Sequence, residues 1–345
     1  MSKGRVAVAL SGGMDSSVAA YLLKKNGYRV EGVHALLYDP AKSQYHAHLA
    51  ENICTVLDIP FRLVDLREEF SRFVVDYFYQ EYQRGRTPNP CLACNRYIKF
   101  GLLLEQVLFS GIDYMATGHY ARIERHGNSC KLLKAVDSKK DQTYFLYMLN
   151  QEKLRHVLFP IGDYCRAEVQ QIAEREKLPI ASESSQDLCF ISAKSKGRGF
   201  LKKYFPSEPG DMMDTSGKLL GLHQGIAFYT IGQRHGLGLD FHEPLYVIRI
   251  DAEENKLFLG EEAELYSHGL VAGKLSWILK PPDSPVALAS KIRYRSSEVK
   301  TTLSLMAESA CVEFQLAQRA VTPGQAVVFY QEEEVLGGGI IERTS

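Results

Sequence analysis

The sequence Ser-Gly-Gly-Met-Asp-Ser-Ser at residues 11–17 constrains the fold of this chain more than any other stretch. It follows a short apolar run, Val6 to Leu10, and precedes a segment with apolar residues at helical spacing. A Gly-Gly turn between a buried strand and a helix N-terminus is an anion site, because free N–H groups and the helix dipole favour negative charge there. The three serine hydroxyls add donors, and Asp15 can hold a magnesium ion or a substrate amine. The pattern GxxxxGK[ST] is absent, so this loop is not a Walker A motif.

Strand and helix patterns alternate through the first part of the chain. The sequence predicts strands over 28–38, 61–66 and 112–117 and helices over 44–58 and 68–83. This alternation predicts an α/β fold with a parallel sheet and right-handed crossovers, in which ligands bind at the carboxyl ends of the strands. The loop at 11–17 and Gly118-His119 both fall at such ends.

The regular alternation of strand and helix patterns ends after the first part of the chain. A β-hairpin is predicted over 121–136, and helices are predicted over about 150–158 and 166–177. From about residue 206, turn residues and short strand patterns dominate, which predicts β-rich structure ending in a small barrel. Six strands are expected there, over 246–250, 256–259, 287–294, 297–305, 310–316 and 326–330. We therefore expect three domains, at 1–205 (catalytic), 206–275 (central, β-rich) and 276–345 (β-barrel).

The composition is that of a globular protein. The 345 residues include 41 Lys and Arg and 41 Asp and Glu, so any nucleic-acid binding requires a local basic face. No apolar stretch approaches the ~18 residues of a membrane span, and the start of the chain leaves no room for a signal peptide. The expected compartment is therefore the cytoplasm. Seven cysteines in such a chain indicate thiols, catalysis or metal binding rather than a disulfide framework.

Two cysteine-containing segments stand out. Cys91 and Cys94 form a Cys-x-x-Cys pair after a Pro-Asn-Pro run, which is typical of a redox pair, a metal-ligand pair or a nucleophile with a neighbour. The nearby Arg96 and Lys99 would favour the thiolate. Cys189 follows polar residues and precedes a basic segment. Zinc binding by these three cysteines and His119 is not expected, because the spacing is not that of a zinc finger or ribbon.

These segments together resemble the tRNA-specific 2-thiouridylase family (MnmA/TrmU), and SGGxDS itself resembles the pyrophosphate loop of ATP pyrophosphatases. The resemblance spans nearly the whole chain. It is carried by the motifs SGGMDSS (11–17), GRTPNPCLACNRYIKFG (85–101), ATGHYARI (116–123), KDQTYFLY (140–147), SSQDLCFI (184–191), YTIGQRHGLG (229–238), KIRYRS (291–296) and VTPGQAVVFY (321–330).

The resemblance implies an ATP-dependent reaction. The enzyme would adenylate the C2 oxygen of the wobble uridine, and sulfur would then displace AMP to leave 2-thiouridine. Magnesium would neutralise the departing pyrophosphate. The positions that match the family's ATP site are Ala9, Leu10, Ser11, Gly12, Gly13, Met14, Asp15, Ser16, Ala35 and Gly118.

The resemblance also implies roles for the cysteines and for RNA-contacting residues. Cys189 matches the persulfide carrier, and Cys94 matches the nucleophile that closes a disulfide with Cys189 when sulfur is released. The positions that match tRNA contacts are His119, Lys140, Asp141, Gln142, Arg293, Tyr294 and Gln325. The implied partners are the tRNAs for Lys, Glu and Gln and a sulfur donor protein, either a cysteine desulfurase or a relay; no membrane is expected.

The sequence departs from the family pattern at two places. Some members carry Asp at the position of Cys91, so Cys91, Cys94 and Cys189 could instead hold three corners of a [4Fe–4S] cluster whose fourth iron binds sulfide. Residues 36–50 are short and rich in His, and Ala35 stands where larger apolar residues are common.

Two other functions compete with thiolation. One is an ATP pyrophosphatase that amidates a small molecule, which the β-rich regions and paired cysteines disfavour because amidation needs neither. The other is a non-catalytic RNA-binding protein on a degenerate nucleotide-binding scaffold. The intact loop at 11–16 and the three cysteines disfavour that alternative.

Overall fold

The N-terminal region forms a parallel sheet, as the alternation of strands and helices predicts. The computed structural model describes residues 3–38, 40–180, 190, 201–238 and 243–345. The sheet strands are β1 (Arg5–Ala9), β2 (Arg29–Leu36), β3 (Phe61–Asp65), β4 (Tyr114–Ala116) and β7 (Val157–Leu158). Their spatial order is β3-β2-β1-β4-β7, and every neighbouring pair is parallel. The order reverses between β1 and β4, so a ligand crevice is expected at the carboxyl ends of these two strands.

Helices cover both faces of this sheet. Those of the first half are α1 (Met14–Lys25), α2 (Pro40–Val56), α3 (Arg67–Phe70), a π-helical turn (Ser71–Asp76) and α4 (Tyr77–Gln83). Next come α5 (Pro90–Ala93), a π-helical segment (Cys94–Leu103), α6 (Leu104–Phe109), α7 (Gln151–Arg155) and α8 (Arg166–Arg175). The helix predicted over 150–158 ends at Arg155, because Val157 and Leu158 pair with β4 as an edge strand.

The central region is a small four-stranded sheet in the part of the chain described. Helix α9 (Leu201–Tyr204) leads into it. Its strands are β8 (Gly210–Met213), β9 (Leu219–His223), β10 (Tyr246–Asp251) and β11 (Lys256–Gly260), in the order β10-β11-β8-β9. One core joins this sheet to the first region, since Phe78 of α4 packs with Phe228, Val247 and Leu259.

The last region is a closed antiparallel barrel. Its strands among the described residues are β12 (Tyr266–Trp277), β13 (Val286–Lys291), β14 (Val299–Leu305), β15 (Ala310–Arg319), β16 (Ala326–Gln331) and β17 (Glu334–Thr344). Pairing of β12 with both β15 and β17 closes the ring. Strand β12 begins at Tyr266, before the boundary predicted at residue 276.

The predicted hairpin belongs to the barrel sheet. Strands β5 (Arg122–His126) and β6 (Ser129–Leu133) pair with each other, and β6 also pairs with β17 through Leu132–Val335 and Leu133–Glu334. The Lys131 ammonium lies 2.7 Å from the Glu334 carboxylate beside that pairing. The N-terminal region thus contributes two strands to the C-terminal sheet.

Candidate active site

The loop after β1 is folded around its own serine hydroxyls. Ser16 Oγ and Ser17 Oγ donate to the Gly13 carbonyl at 3.1 and 2.8 Å, and the Gly13 N–H donates to Ser11 Oγ at 3.3 Å. Gly12 has φ +76°, a conformation that other residues rarely adopt. Gly13 caps α1 with no side chain over the helix end, which leaves the N-terminus of this 12-residue helix open to an anion.

Gly118 brings the loop after β4 against the loop at residues 11–17, which we call the phosphate loop after its predicted role. Val8 of β1 is paired with Ala116 of β4, so the two loops leave the same edge of the sheet side by side. A Cβ atom at position 118 would lie 2.5 Å from the Ser16 nitrogen, which only glycine avoids. The structure therefore brings together the sequence-predicted ATP-site residues of the first loop and Gly118.

His34 supports the phosphate loop from the neighbouring strand. Its Nδ1 lies 2.7 Å from the Leu10 carbonyl, so Nδ1 carries the proton and donates. Burial lowers the pKa of His34, which keeps the ring neutral at pH 7. Ala35, the next residue of β2, is half-buried and pairs with Val64 of β3.

Asp15 is held by the side chains of Arg166 and Tyr120, neither of which is among the predicted site residues. The Arg166 guanidinium forms an ion pair with the Asp15 carboxylate, and Tyr120 Oη donates to the same oxygen at 3.1 Å. Arg166 is the first residue of α8, and its backbone N–H donates to Asp137 at 2.9 Å. Both Asp15 and Arg166 keep 37% of their side-chain surface exposed. A carboxylate and a guanidinium thus face solvent beside the predicted anion site, suited to a metal ion and to phosphate respectively.

The Cys-x-x-Cys pair lies at the start of the helical segment 90–109. Pro90 opens α5, and the Asn89 side chain caps the helix by accepting the Cys91 N–H at 3.1 Å. Cys91 is exposed and Cys94 is buried, with 6% of its surface accessible. Desolvation by the surrounding protein raises the pKa of the Cys91 thiol, and the charge of Lys99 partly offsets that effect.

His119 lies in the core beside the helical segment 90–109, which carries Cys91 and Cys94. Its ring packs 5.7 Å from Phe100 and 6.1 Å from Phe159, between ring centroids, and Nδ1 is 2.8 Å from Thr117 Oγ1. Burial and, to a lesser extent, the Lys99 charge hold the pKa of His119 well below its usual value, so the ring is neutral. Lys99 therefore acts on both Cys91 and His119.

Cys189 lies outside the described residues. Phe190, which follows it, packs against Tyr38, Phe70 and Phe78 with ring centroids 5.3 to 6.1 Å apart. Among the residues that the structure describes, no group of three His, Cys, Asp or Glu side chains could hold a metal ion. Cys91 and Cys94 are thus the described part of the predicted three-cysteine set.

The predicted RNA-contacting residues of the 140–142 loop lie beside Tyr120, whereas Gln325 of the barrel lies apart from them, against Thr87. Lys140 is exposed, whereas Asp141 is buried and accepts from the Ala135 N–H and the Thr143 hydroxyl at 3.0 and 2.7 Å. Gln142 Oε1 accepts the Tyr120 N–H at 2.9 Å, which ties this loop to the residue that holds Asp15.

Of the predicted RNA-contacting residues in the barrel, Tyr294 lies near the 140–142 loop and Gln325 does not. The Tyr294 ring lies 4.4 Å from the Phe145 ring, between centroids, at a tilt of 43°, close to the 140–142 loop. Its neighbour Arg293 donates to the backbone carbonyls of Arg319 and Ala320. Gln325 lies elsewhere, because its amide donates to the Thr87 carbonyl at 2.7 Å.

Sequence comparisons agree with this architecture. Three family models match in chain order: the tRNA methyl transferase HUP domain (residues 4–193), the tRNA methyl transferase PRC-barrel domain (198–261) and the aminomethyltransferase beta-barrel domain (267–341). With the parallel sheet and its phosphate loop, they define a HUP-domain protein that carries two further β domains. No described helix is long and apolar enough to cross a membrane.

Relatives of known name match over nearly the full length. A tRNA-specific 2-thiouridylase MnmA 1 from Syntrophus aciditrophicus is 46% identical over 99% of this chain and 93% of its own length. A tRNA-specific 2-thiouridylase MnmA from Carboxydothermus hydrogenoformans is 44% identical over 99% of both chains. The chain belongs to the tRNA-specific 2-thiouridylase (MnmA) family.

Proposed function

We propose that this protein is a tRNA-uridine 2-sulfurtransferase, which uses ATP to convert the wobble uridine at position 34 of tRNA to 2-thiouridine. One observation carries the proposal: residues 117–119 join the two halves of the chemistry. Gly118 packs against the phosphate loop at Ser16, and His119 packs against Phe100 of the helix that begins with the cysteines. Residues 117–119 therefore contact both the proposed ATP site and the helical segment that carries Cys91 and Cys94.

The phosphate loop suits the activation step. A uracil carbonyl oxygen is a poor leaving group, so O2 first attacks the α-phosphorus of ATP and pyrophosphate leaves. The free N–H groups of α1 and the hydroxyl of Ser11 would stabilise the phosphates, and Arg166 lies beside them as a cation. Mg²⁺ would neutralise the departing pyrophosphate, and Asp15 is the residue of the loop that fits it.

The sulfur-transfer step uses Cys94 and Cys189. The terminal sulfur of a Cys189 persulfide is delivered to C2 of the adenylated uridine, and AMP leaves with the former O2. Attack of the Cys94 thiolate on the Cys189 sulfur breaks the persulfide bond and forms a disulfide, which a thiol reductant then reopens. The alternative uses the same two cysteines with Cys91 as ligands of a [4Fe–4S] cluster, and the described Cys91–Cys94 turn is consistent with two of the three ligands.

RNA binding is assigned to the face formed by the 140–142 loop and the barrel. Lys140 is exposed for phosphate contact, and Tyr294 beside Phe145 offers an aromatic surface for stacking. Chemistry at C2 requires the uridine to leave its stack and enter the site. The expected substrates are the tRNAs for Lys, Glu and Gln, and the sulfur donor is a cysteine desulfurase or a relay protein. We place the reaction in the cytoplasm.

Cysteine variants test the proposal. Cys94→Ala and Cys189→Ala are each expected to abolish 2-thiouridine formation, measured by mass spectrometry of tRNA nucleosides, while leaving tRNA affinity unchanged. Cys311→Ala is the matched control, because Cys311 is a free, half-buried thiol on β15 of the barrel, paired with Val271 of β12. Residual 2-thiouridine from either variant would remove that cysteine from the mechanism. Loss of tRNA binding in both would point to misfolding instead, which a thermal melt detects.

A further inference from the structure

Thr87 is held by both of the β-rich regions. Its N–H donates to the Pro323 carbonyl at 2.9 Å, and its carbonyl accepts from Gln325 Nε2 at 2.7 Å. Its hydroxyl donates to Thr230 Oγ1 at 3.2 Å. Both backbone groups of one residue in the first region are therefore bonded to the barrel, and its side chain is bonded to the central region.

The residues next to Thr87 are also packed tightly between the first region and the two β-rich regions. Gly85 has φ +67°, and a Cβ there would lie 2.5 Å from Ile250 Cγ2. Gly324 has φ +92°, and a Cβ there would lie 2.9 Å from the Thr87 nitrogen. Arg86 donates to the Ile341 carbonyl at 3.0 Å. We call residues 85–87 the junction segment, since all three regions meet at it.

A stiff connection leads from the junction segment to Cys91. The intervening residues are Pro88, Asn89 and Pro90, and both prolines are buried. Proline fixes φ near −65° and restricts the preceding residue, so this stretch has few alternative conformations. Asn89 caps the Cys91 N–H at 3.1 Å and fixes the remaining step. A displacement of Thr87 is therefore transmitted to Cys91 rather than absorbed between them.

We propose that Gln325 is a positioning residue that, acting through Thr87, sets the placement of the Cys91–Cys94 turn from the barrel. Gln325 is one of the residues expected to contact tRNA, so one side chain joins the RNA-binding barrel to the thiol site. The meaning of this link for sulfur transfer rests on the proposed function. The link itself is a property of the free protein and is tested without RNA or ATP.

The test measures alkylation of individual cysteines in the Gln325→Met variant. Methionine keeps the length of glutamine but cannot donate to the Thr87 carbonyl. A hydrogen bond contributes about 0.5–1.5 kcal/mol, so we expect Cys91 to react with iodoacetamide about threefold faster or more, because the segment that leads to the exposed Cys91 loses one of the bonds that fix it to the barrel. Peptide mapping separates the cysteines, and Cys165, exposed on α8, serves as the internal reference whose rate stays constant.

Two further variants make the test specific. Gln318→Met removes an amide that donates only within its own strand, to Leu316 and Ala317, and it is expected to leave Cys91 unchanged. Thr230→Val removes the second tether of Thr87 and is expected to raise Cys91 reactivity in the same way. It also keeps the test decisive if Gln325→Met fails to fold.

The proposal is overturned if Cys91 reacts at the wild-type rate in Gln325→Met with an unchanged melting temperature or, where that variant does not fold, in Thr230→Val. A role of Gln325 in RNA contact alone gives that result together with weaker tRNA binding, and saturating tRNA would then restore the full thiolation rate. Loss of positioning instead lowers the rate at saturating tRNA. Failure of the proposed function would leave the alkylation result standing.

Discussion

Arg166 and Asp15 form an ion pair across the mouth of the phosphate loop, although they are 151 residues apart in the chain. The pair neutralises a carboxylate at the end of a helix that is otherwise suited to anions. When Mg²⁺ and ATP bind, the carboxylate would turn to the metal and the guanidinium to a phosphate. Arg166 is therefore a candidate ATP-site residue.

We predict that Arg166→Met raises the KM for ATP about tenfold or more, because charge-assisted hydrogen bonds are worth roughly 1.5–3 kcal/mol. The measurement is tRNA-dependent release of pyrophosphate over a range of ATP concentrations. Arg175→Met is the control, since Arg175 lies on the same helix and pairs with Glu176 at the surface. An unchanged KM for ATP would exclude Arg166 from phosphate binding.

Lys99 is predicted to control the reactivity of Cys91. A cation stabilises the thiolate and so lowers the thiol pKa; Lys99→Met removes it, and the pKa of Cys91 rises further above its ordinary value. Alkylation of Cys91 should then require higher pH, which a series of alkylation rates between about pH 6 and pH 10, on either side of the ordinary thiol pKa of about 8.5, would detect. Lys99→Arg, which keeps the charge, should retain the wild-type profile. A coincident profile for Lys99→Met would contradict the prediction.

Cys91 distinguishes the two sulfur-transfer routes. On the persulfide route, Cys91→Ala retains thiolation from a persulfide donor, and protein purified without oxygen contains no stoichiometric iron; this is the outcome we expect. The measurements are iron and acid-labile sulfide content together with 2-thiouridine formation. About four irons per chain, lost together with activity in Cys91→Ala, would establish the cluster route instead.

Lys140 is predicted to contact a tRNA phosphate. Lys140→Ala should weaken tRNA binding and make the slope of log affinity against log salt shallower by about one unit. Lys25→Ala is the control, because Lys25 is also exposed but lies at the C-terminal end of α1, at the opposite edge of the sheet from the phosphate loop. Equal salt slopes for wild type and Lys140→Ala would remove this contact.

The parallel sheet could be predicted because its signals are local. The apolar run before Ser11, the glycine turn and the helical spacing after it lie within twenty residues and agree with one another. Strands β12 and β17 escaped prediction because glycines interrupt their apolar patterns, Gly269 and Gly273 in one and residues 337–339 in the other. A glycine inside a strand weakens its pattern but lets another backbone approach, and Gly338 lies against Val327 and Tyr147.

The site residues could be predicted where they form a contiguous motif, but not where they depend on contacts between residues distant in the sequence. The loop at 11–16 and the Cys91–Cys94 turn are readable from sequence. Arg166 is not, because an arginine at the start of a helix has no pattern that reveals a partner near residue 15. Gln325 was assigned through the family resemblance, yet its bond to Thr87 follows only from how the barrel packs on the first region.

The hairpin of β5 and β6 has a consequence for how the protein is made. Its bridge to β17 joins Lys131 to a residue 203 positions later. At a synthesis rate of about 5–20 residues per second, the ribosome completes the hairpin roughly 10–40 s before its partner strand emerges. During that interval the edge of β6 is an unpaired template, exposed to any other nascent strand. The two strands that extend the C-terminal sheet, β5 and β6, are thus translated long before the strand β17 with which β6 pairs. A separately expressed C-terminal half would lack these two strands of its sheet.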